Sequence, residues 1–133
     1  MKFIGIDYGT KRVGVATSDT EGTMAFPKMV IPNNRALLPT LVSFIRAENA
    51  EALVVGESKN LSGEDNAVMA EIRQFVETLK RECGIPVYFE PEFYTSHEAR
   101  RLGEDASSKG KVSAVDAQAA AIILNSYLQR NKF

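Results

Sequence analysis

Three β-type segments follow one another with almost no chain between them, and this limits the fold more than any other feature. Phe3, Ile4 and Ile6 open a first strand that runs to about Tyr8, and Gly9 to Arg12 supply a turn. Val13, Val15 and Ala16 make a second strand, Asp19 to Gly22 a loop, and Met24 to Ile31 a third strand. Parallel neighbours need a crossover of a dozen or more residues, which these connections cannot provide, so the segment closes as an antiparallel meander. Pro27 lacks the amide hydrogen that an inner strand uses on both sides, which predicts an edge position for the third strand.

The pattern then changes. Leu37, Leu38, Leu41, Val42, Phe44 and Ile45 follow helical spacing, with Pro39 tolerable in a first turn. Ala52 to Val55 is a short, wholly apolar strand of the kind covered on both faces. Ser62 to Asp65 reads as a helix start, and Val68, Ile72, Phe75, Val76 and Leu79 mark one face of a helix ending before Gly84. Pro86 to Phe89 predicts a fifth strand. Thr95 to Glu98 opens a further helix to about Leu102, Ser107 to Lys111 forms a basic loop, and Ser113 to Leu128 forms a last helix. The order β-β-β-α-β-α-β-α-α implies an α/β fold: a mixed five-stranded sheet, three strands antiparallel and then parallel ones, with helices on both faces. That order matches the ribonuclease H-like fold.

With 133 residues the chain has the length of one domain, read as spanning 1–133. Its formal net charge of −1 gives nucleic-acid binding no help from bulk composition. A single cysteine, Cys83, cannot close an internal disulfide. MKFIGID turns acidic too early for a signal peptide, and the longest apolar run, Ala119 to Leu124, is far too short for a membrane span. The expectation is a soluble, cytoplasmic protein with no membrane partner.

The acids sit at strand ends. Asp7 is near the carboxyl end of the first strand, Glu57 closes the fourth, Glu90 and Glu92 close the fifth, and Asp116 lies at the start of the last helix. Open α/β sheets bind ligands beyond the carboxyl ends of their parallel strands. Carboxylates gathered there repel unless a cation sits among them, and hard divalent ions such as Mg²⁺ take oxygen ligands. Two such ions can clamp a phosphodiester and activate water. One His and one Cys cannot make a structural zinc site. Each acid also has a plainer role open to it. Asp7 could start an Asx-type turn, Asp116 could be the third helical residue of a Ser113 capping box, and Glu57, Glu90 and Glu92 could be solvated loop acids. His97 reads as an exposed residue and Cys83 as a helix-end core residue.

At GIDYGTKRVGVA the chain resembles the YqgF/RuvX family, Holliday-junction-resolvase-like proteins and nucleases that mature the small-subunit ribosomal RNA precursor. Lys109-Gly-Lys111, Val115-Asp116 and the Ala-rich AAIILNSYL are similar to the family's C-terminal loop and helix. The middle departs from the pattern. Gly56-Glu57-Ser58 stands where members carry Gly-Leu-Pro, and Pro91-Glu92-Phe93 where they carry Asp-Glu-Arg. The resemblance implies a metal-dependent endonuclease, with Asp7 and Asp116 as active-site acids and Glu92 as the direct carry-over for a third. Glu57 is the alternative from strand geometry. It also implies Mg²⁺ or Mn²⁺ as cofactor, a ribosomal RNA precursor or branched DNA as partner, and a homodimer if both arms of a junction are cut. Lys11, Arg12, Lys109 and Lys111 flank these acids and could hold phosphates. Two other readings stay open: a non-catalytic RNA-binding or assembly factor on the same fold, and an actin-like or sugar-kinase-like nucleotide binder.

Overall fold

The computed structural model describes residues 1–58, 67–91 and 111–131, the first six residues of the last segment in backbone only. Strand β1 spans Phe3–Tyr8, β2 Arg12–Ser18, β3 Ala25–Pro32, β4 Ala52–Glu57 and β5 Val87–Pro91. Helices α1 (Leu37–Ala47), α2 (Met69–Cys83) and α3 (Lys111–Arg130) complete the described elements. The sheet order is β3-β2-β1-β4-β5. β1–β2 and β2–β3 are antiparallel, whereas β1–β4 and β4–β5 are parallel. This is the predicted mixed sheet, with β1 central and the proline-bearing β3 at an edge.

Alternation along the strands sorts the core into two layers. Ile4, Ile6, Val13, Val15, Leu53 and Val55 face one side and pack with Leu41 and Ile45 of α1 and Ile72, Val76 and Leu79 of α2. Full burial of side chains of this size contributes about 1.5–3 kcal/mol each. On the other side Val54 packs with Ile123, Leu124 and Leu128 of α3, and Ala16 with Ala120 and Ala121. The small residues let α3 approach closely. A Cβ added at Gly5 would lie 2.7 Å from Leu124 Cβ and 2.9 Å from the Ala120 carbonyl oxygen.

Some boundaries differ from the sequence reading. Helix α2 ends as predicted, at Gly84, whose φ of 67° is left-handed and whose N–H donates to Lys80 O. Helix α3 starts at Lys111, not after it, and runs to Arg130. Ser113 therefore lies within the first turn, and the capping box that would have explained Asp116 does not form the helix start. The apolar pattern that marked the helix begins only at Val112 and could not show where the turn opens. The predicted helix from Thr95 to Leu102, the start at Ser62 to Asp65, His97, Glu92 and Lys109 lie outside the described residues. Cys83 ends α2 and packs partly buried against the core, and burial pushes its thiol up, which disfavours the thiolate a nucleophile needs.

Candidate active site

β1 and β4 run parallel, so their carboxyl ends share one edge of the sheet. Asp7 is the penultimate residue of β1 at that edge and is only 2% exposed. Buried acids are costly without compensation, and this one occupies the middle strand of the sheet.

Register shows what surrounds it. Gly14 of β2 is the Cα partner of Asp7. On the other side Ile6 pairs with Val55, so one step further Gly56 of β4 comes opposite Asp7. Gly5 precedes it on the same pleat. Asp7 therefore stands between three positions that add no side chain. Glycine in a strand interior costs about 0.5–1 kcal/mol relative to alanine, so three around one carboxylate is an expensive arrangement. Gly5 is accounted for by the approach of α3. Gly14 and Gly56 are themselves buried and contribute only backbone beside the carboxylate, as strand glycines do where a ligand or another backbone comes close. The glycines were visible in the sequence, but only the pairing register brings 5, 14 and 56 around residue 7.

The turn after β1 is equally constrained. A Cβ at Gly9 would sit 2.5 Å from Arg12 O. Asn33, just past β3, donates its Nδ2 to Gly9 O at 2.8 Å and its backbone N–H to Lys11 O at 2.9 Å. These bonds hold exposed Lys11 and Arg12 in a fixed loop beside Asp7.

Helix α3 runs antiparallel to β1. Tyr127 meets Phe3 at the start of the strand, with ring centroids 5.9 Å apart, and Leu124 and Ala120 cover Gly5. Asp7 lies two residues further along the strand, about 6.6 Å on. Position 116 lies one turn before Ala120, about 6 Å back along the helix. The two advances match, so the backbone at position 116 is level with Asp7. Lys111 opens the same helix.

The other acids part company. Glu57 closes β4 at the same edge, yet strand alternation assigns it to the pleat of Val55 and Tyr8, opposite that of Asp7. Glu90, one of the strand-end acids for which a solvated loop position was the plainer reading, is 3% exposed. It accepts a hydrogen bond from Ser126 Oγ at 2.7 Å and is ion-paired with Arg130. Pairing of Gly56 with Glu90 continues the row Gly14, Asp7, Gly56, Glu90 across four strands. Sequence reasoning missed this role because Ser126 and Arg130 lie 36 and 40 residues away. Among the described residues no three His, Cys, Asp or Glu side chains converge as a metal cluster. The set predicted for metal draws on Glu92 and on the side chain of Asp116, both outside that description. Tyr8 turns away from Asp7 and packs on Phe75 of α2 at 5.0 Å.

The match to known proteins is consistent with this geometry. Residues 1–130 match the family described as RuvX: Holliday junction resolvase. The chain belongs to this family. A relative from Nitratidesulfovibrio vulgaris (strain DSM 19637 / Miyazaki F) is 45% identical, over 96% of this chain and 93% of its own length. One from Lawsonia intracellularis is 35% identical, over 99% and 96%. Both bear the provisional name pre-16S rRNA nuclease. Nuclease activity is thus what the RuvX family and these relatives have in common by name. In fold, the chain is similar to the RuvC of T. thermophilus solved with a Holliday junction substrate, with a TM-score of 0.62 at 19% identity, covering 98% of this chain and 95% of that one. It is also similar to the fowlpox virus Holliday junction resolvase, with a TM-score of 0.55 at 13% identity and coverage of 98% and 99%. The fold is that of the RuvC-type, ribonuclease H-like resolvases. Among the described residues no helix is long and apolar enough to cross a membrane.

Proposed function

We propose that this RuvX member is a divalent-metal-dependent endonuclease that matures the precursor of 16S ribosomal RNA, with residues 1–133 acting as one cytoplasmic domain. The observation that carries the proposal is Asp7: a buried carboxylate on the middle strand, at the ligand edge, flanked on its own pleat by Gly14 and Gly56. An acid buried at that edge suits a hard cation with oxygen ligands. Asp7 and Asp116 would hold Mg²⁺ or Mn²⁺, with Glu92 or Glu57 as the third acid. The level match of position 116 supports the first pair, and the opposite pleat of Glu57 favours Glu92. When bound, two such ions supply Lewis acidity toward the phosphate and lower the pKa of water.

The chain's own residues do the rest. Lys11 and Arg12, held by Asn33 beside Asp7, bind and orient the phosphates on one flank of the scissile bond. Lys109 and Lys111 serve the other flank. The relatives' shared name supports a ribosomal RNA substrate. Branched DNA is the second reading, favoured by the family description. Cutting it at two symmetric positions would require a homodimer.

The test is cleavage of a labelled 16S precursor and of a four-way DNA junction, with Mg²⁺, with Mn²⁺ and with chelator. Wild type should cut the RNA only with metal, and Asp7→Asn should not. Equal inertness of wild type and Asp7→Asn on both substrates, with RNA binding intact, would make the chain a binding factor on a nuclease scaffold.

A further inference from the structure

On the opposite face of the same sheet edge lies a groove of about 320 Å³ between the end of β1, the start of α1 and helix α2. Its walls include Tyr8, Asn33, Asn34, Arg35, Glu71 and Gln74. One residue step separates Asp7 from Tyr8, and alternation sends them to opposite faces. Asp7 and the groove are thus adjacent along the strand but on opposite faces of one sheet edge, and a strand of nucleic acid that crosses this edge from a phosphate at Asp7 reaches the groove.

The chemistry of the walls is selective. Arg35 and Glu71 cancel in formal charge, so the groove is not built for a phosphate. Asn33, Asn34 and Gln74 are amides, which carry both donors and acceptors. Such side chains read base edges, and Tyr8 offers an aromatic surface, half-buried and braced by Phe75. A neutral, flat heteroaromatic with mixed donors and acceptors is the ligand that fits. Asn33 also bonds Gly9 O, which ties the wall of the groove to the loop that carries Lys11 and Arg12.

We propose that this groove is a subsite for an unpaired nucleobase of the substrate strand, next to the phosphate held at Asp7. The proposal rests on the nuclease reading for its role in cleavage, while binding itself does not. In a duplex the base edges are already paired and stacked, so the groove selects single-stranded RNA flanking the cut.

The test compares wild type with Asn34→Ser/Gln74→Ala. Both residues are exposed, neither change alters charge, and Ser retains an oxygen for the bond that Asn34 Oδ1 accepts from the Ala36 N–H. Nonspecific attraction to phosphates is therefore unchanged. The probes are a fluorescein-labelled ten-nucleotide single-stranded RNA and a blunt ten-base-pair RNA duplex, read by anisotropy with chelator present. Binding of the single strand should weaken on the order of tenfold, with duplex binding within twofold of wild type. In the cleavage assay KM should rise with kcat unchanged. No loss, equal loss on both probes, or wild type binding neither probe overturns the subsite. If wild type cuts nothing while the single-strand contrast holds, the nuclease reading fails and the subsite stands.

Discussion

Replacing Gly5 with alanine tests how tightly helix α3 is tied to the acid on β1. The added methyl would lie 2.7 Å from Leu124 Cβ and 2.9 Å from Ala120 O. Neither atom can swing aside, because one is a backbone oxygen and the other is bonded directly to Cα. Reaching an ordinary 3.4 Å contact requires the helix to lift by about 0.7 Å as a body. Overpacking of this kind costs about 1–3 kcal/mol, offset by the roughly 0.4–1 kcal/mol that Gly→Ala contributes by restricting the unfolded chain. A net loss of about 1–2 kcal/mol lowers Tm by roughly 4–7 °C for a chain of this length. Because position 116 rides on the same helix, cleavage should fall at least tenfold even though Asp7 and Asp116 are untouched. A displacement near 1 Å is enough for such losses. The assays are thermal unfolding by circular dichroism and cleavage of the precursor RNA at a temperature where the variant is fully folded. Gly5→Ala combined with Leu124→Ala should not recover either quantity, since the clashing Cβ remains. An unchanged or higher Tm with full activity would refute the coupling between Gly5, α3 and the site.

Gly56→Ala should leave the unfolding free energy within about 1 kcal/mol of wild type, or raise it, because alanine suits a strand better than glycine; cleavage should nevertheless be lost, and an active variant would remove the close-approach role beside Asp7. In the acid comparison Glu92→Gln should reduce metal-dependent cleavage by about a hundredfold or more and Glu57→Gln by far less, with the reverse ranking overturning the pleat argument. Arg130→Ala strips the ion pair from buried Glu90 and should cost about 1–3 kcal/mol, read from urea unfolding, whereas Glu90→Gln with Arg130→Ala should recover part of that loss. Asp19, which accepts hydrogen bonds from the Thr23 hydroxyl and from the backbone N–H groups of Thr23 and Met24, is held down to about 2 from 3.8. Its contribution is present above the unfolded value and lost as pH falls through about 2; a carboxyl carbon NMR titration midpoint near 3.8 would contradict this.

What the sequence settled by itself was local or set by short connections. The turns at Gly9 to Arg12 and Asp19 to Gly22 are too short for anything but hairpins, and the meander followed. Pro27 assigned the edge strand because it lacks a donor. Asp7 stood out because an acid interrupts an apolar strand, and its place at the ligand edge follows from strand order. The tertiary structure decided what depends on partners remote in the chain. Glu57 and Glu90 look alike in sequence, as acids at strand ends. Pleat alternation and pairing separate them: one falls opposite Asp7, and the other is buried against Ser126 and Arg130 from the far end of the chain. Gly5, Gly14 and Gly56 read as three unrelated flexible residues until the register sets them around one carboxylate. Side-chain type and local spacing are carried by neighbours in sequence, whereas register and helix placement come from packing, where a contact such as Gly5 on Ala120 joins residues more than a hundred positions apart.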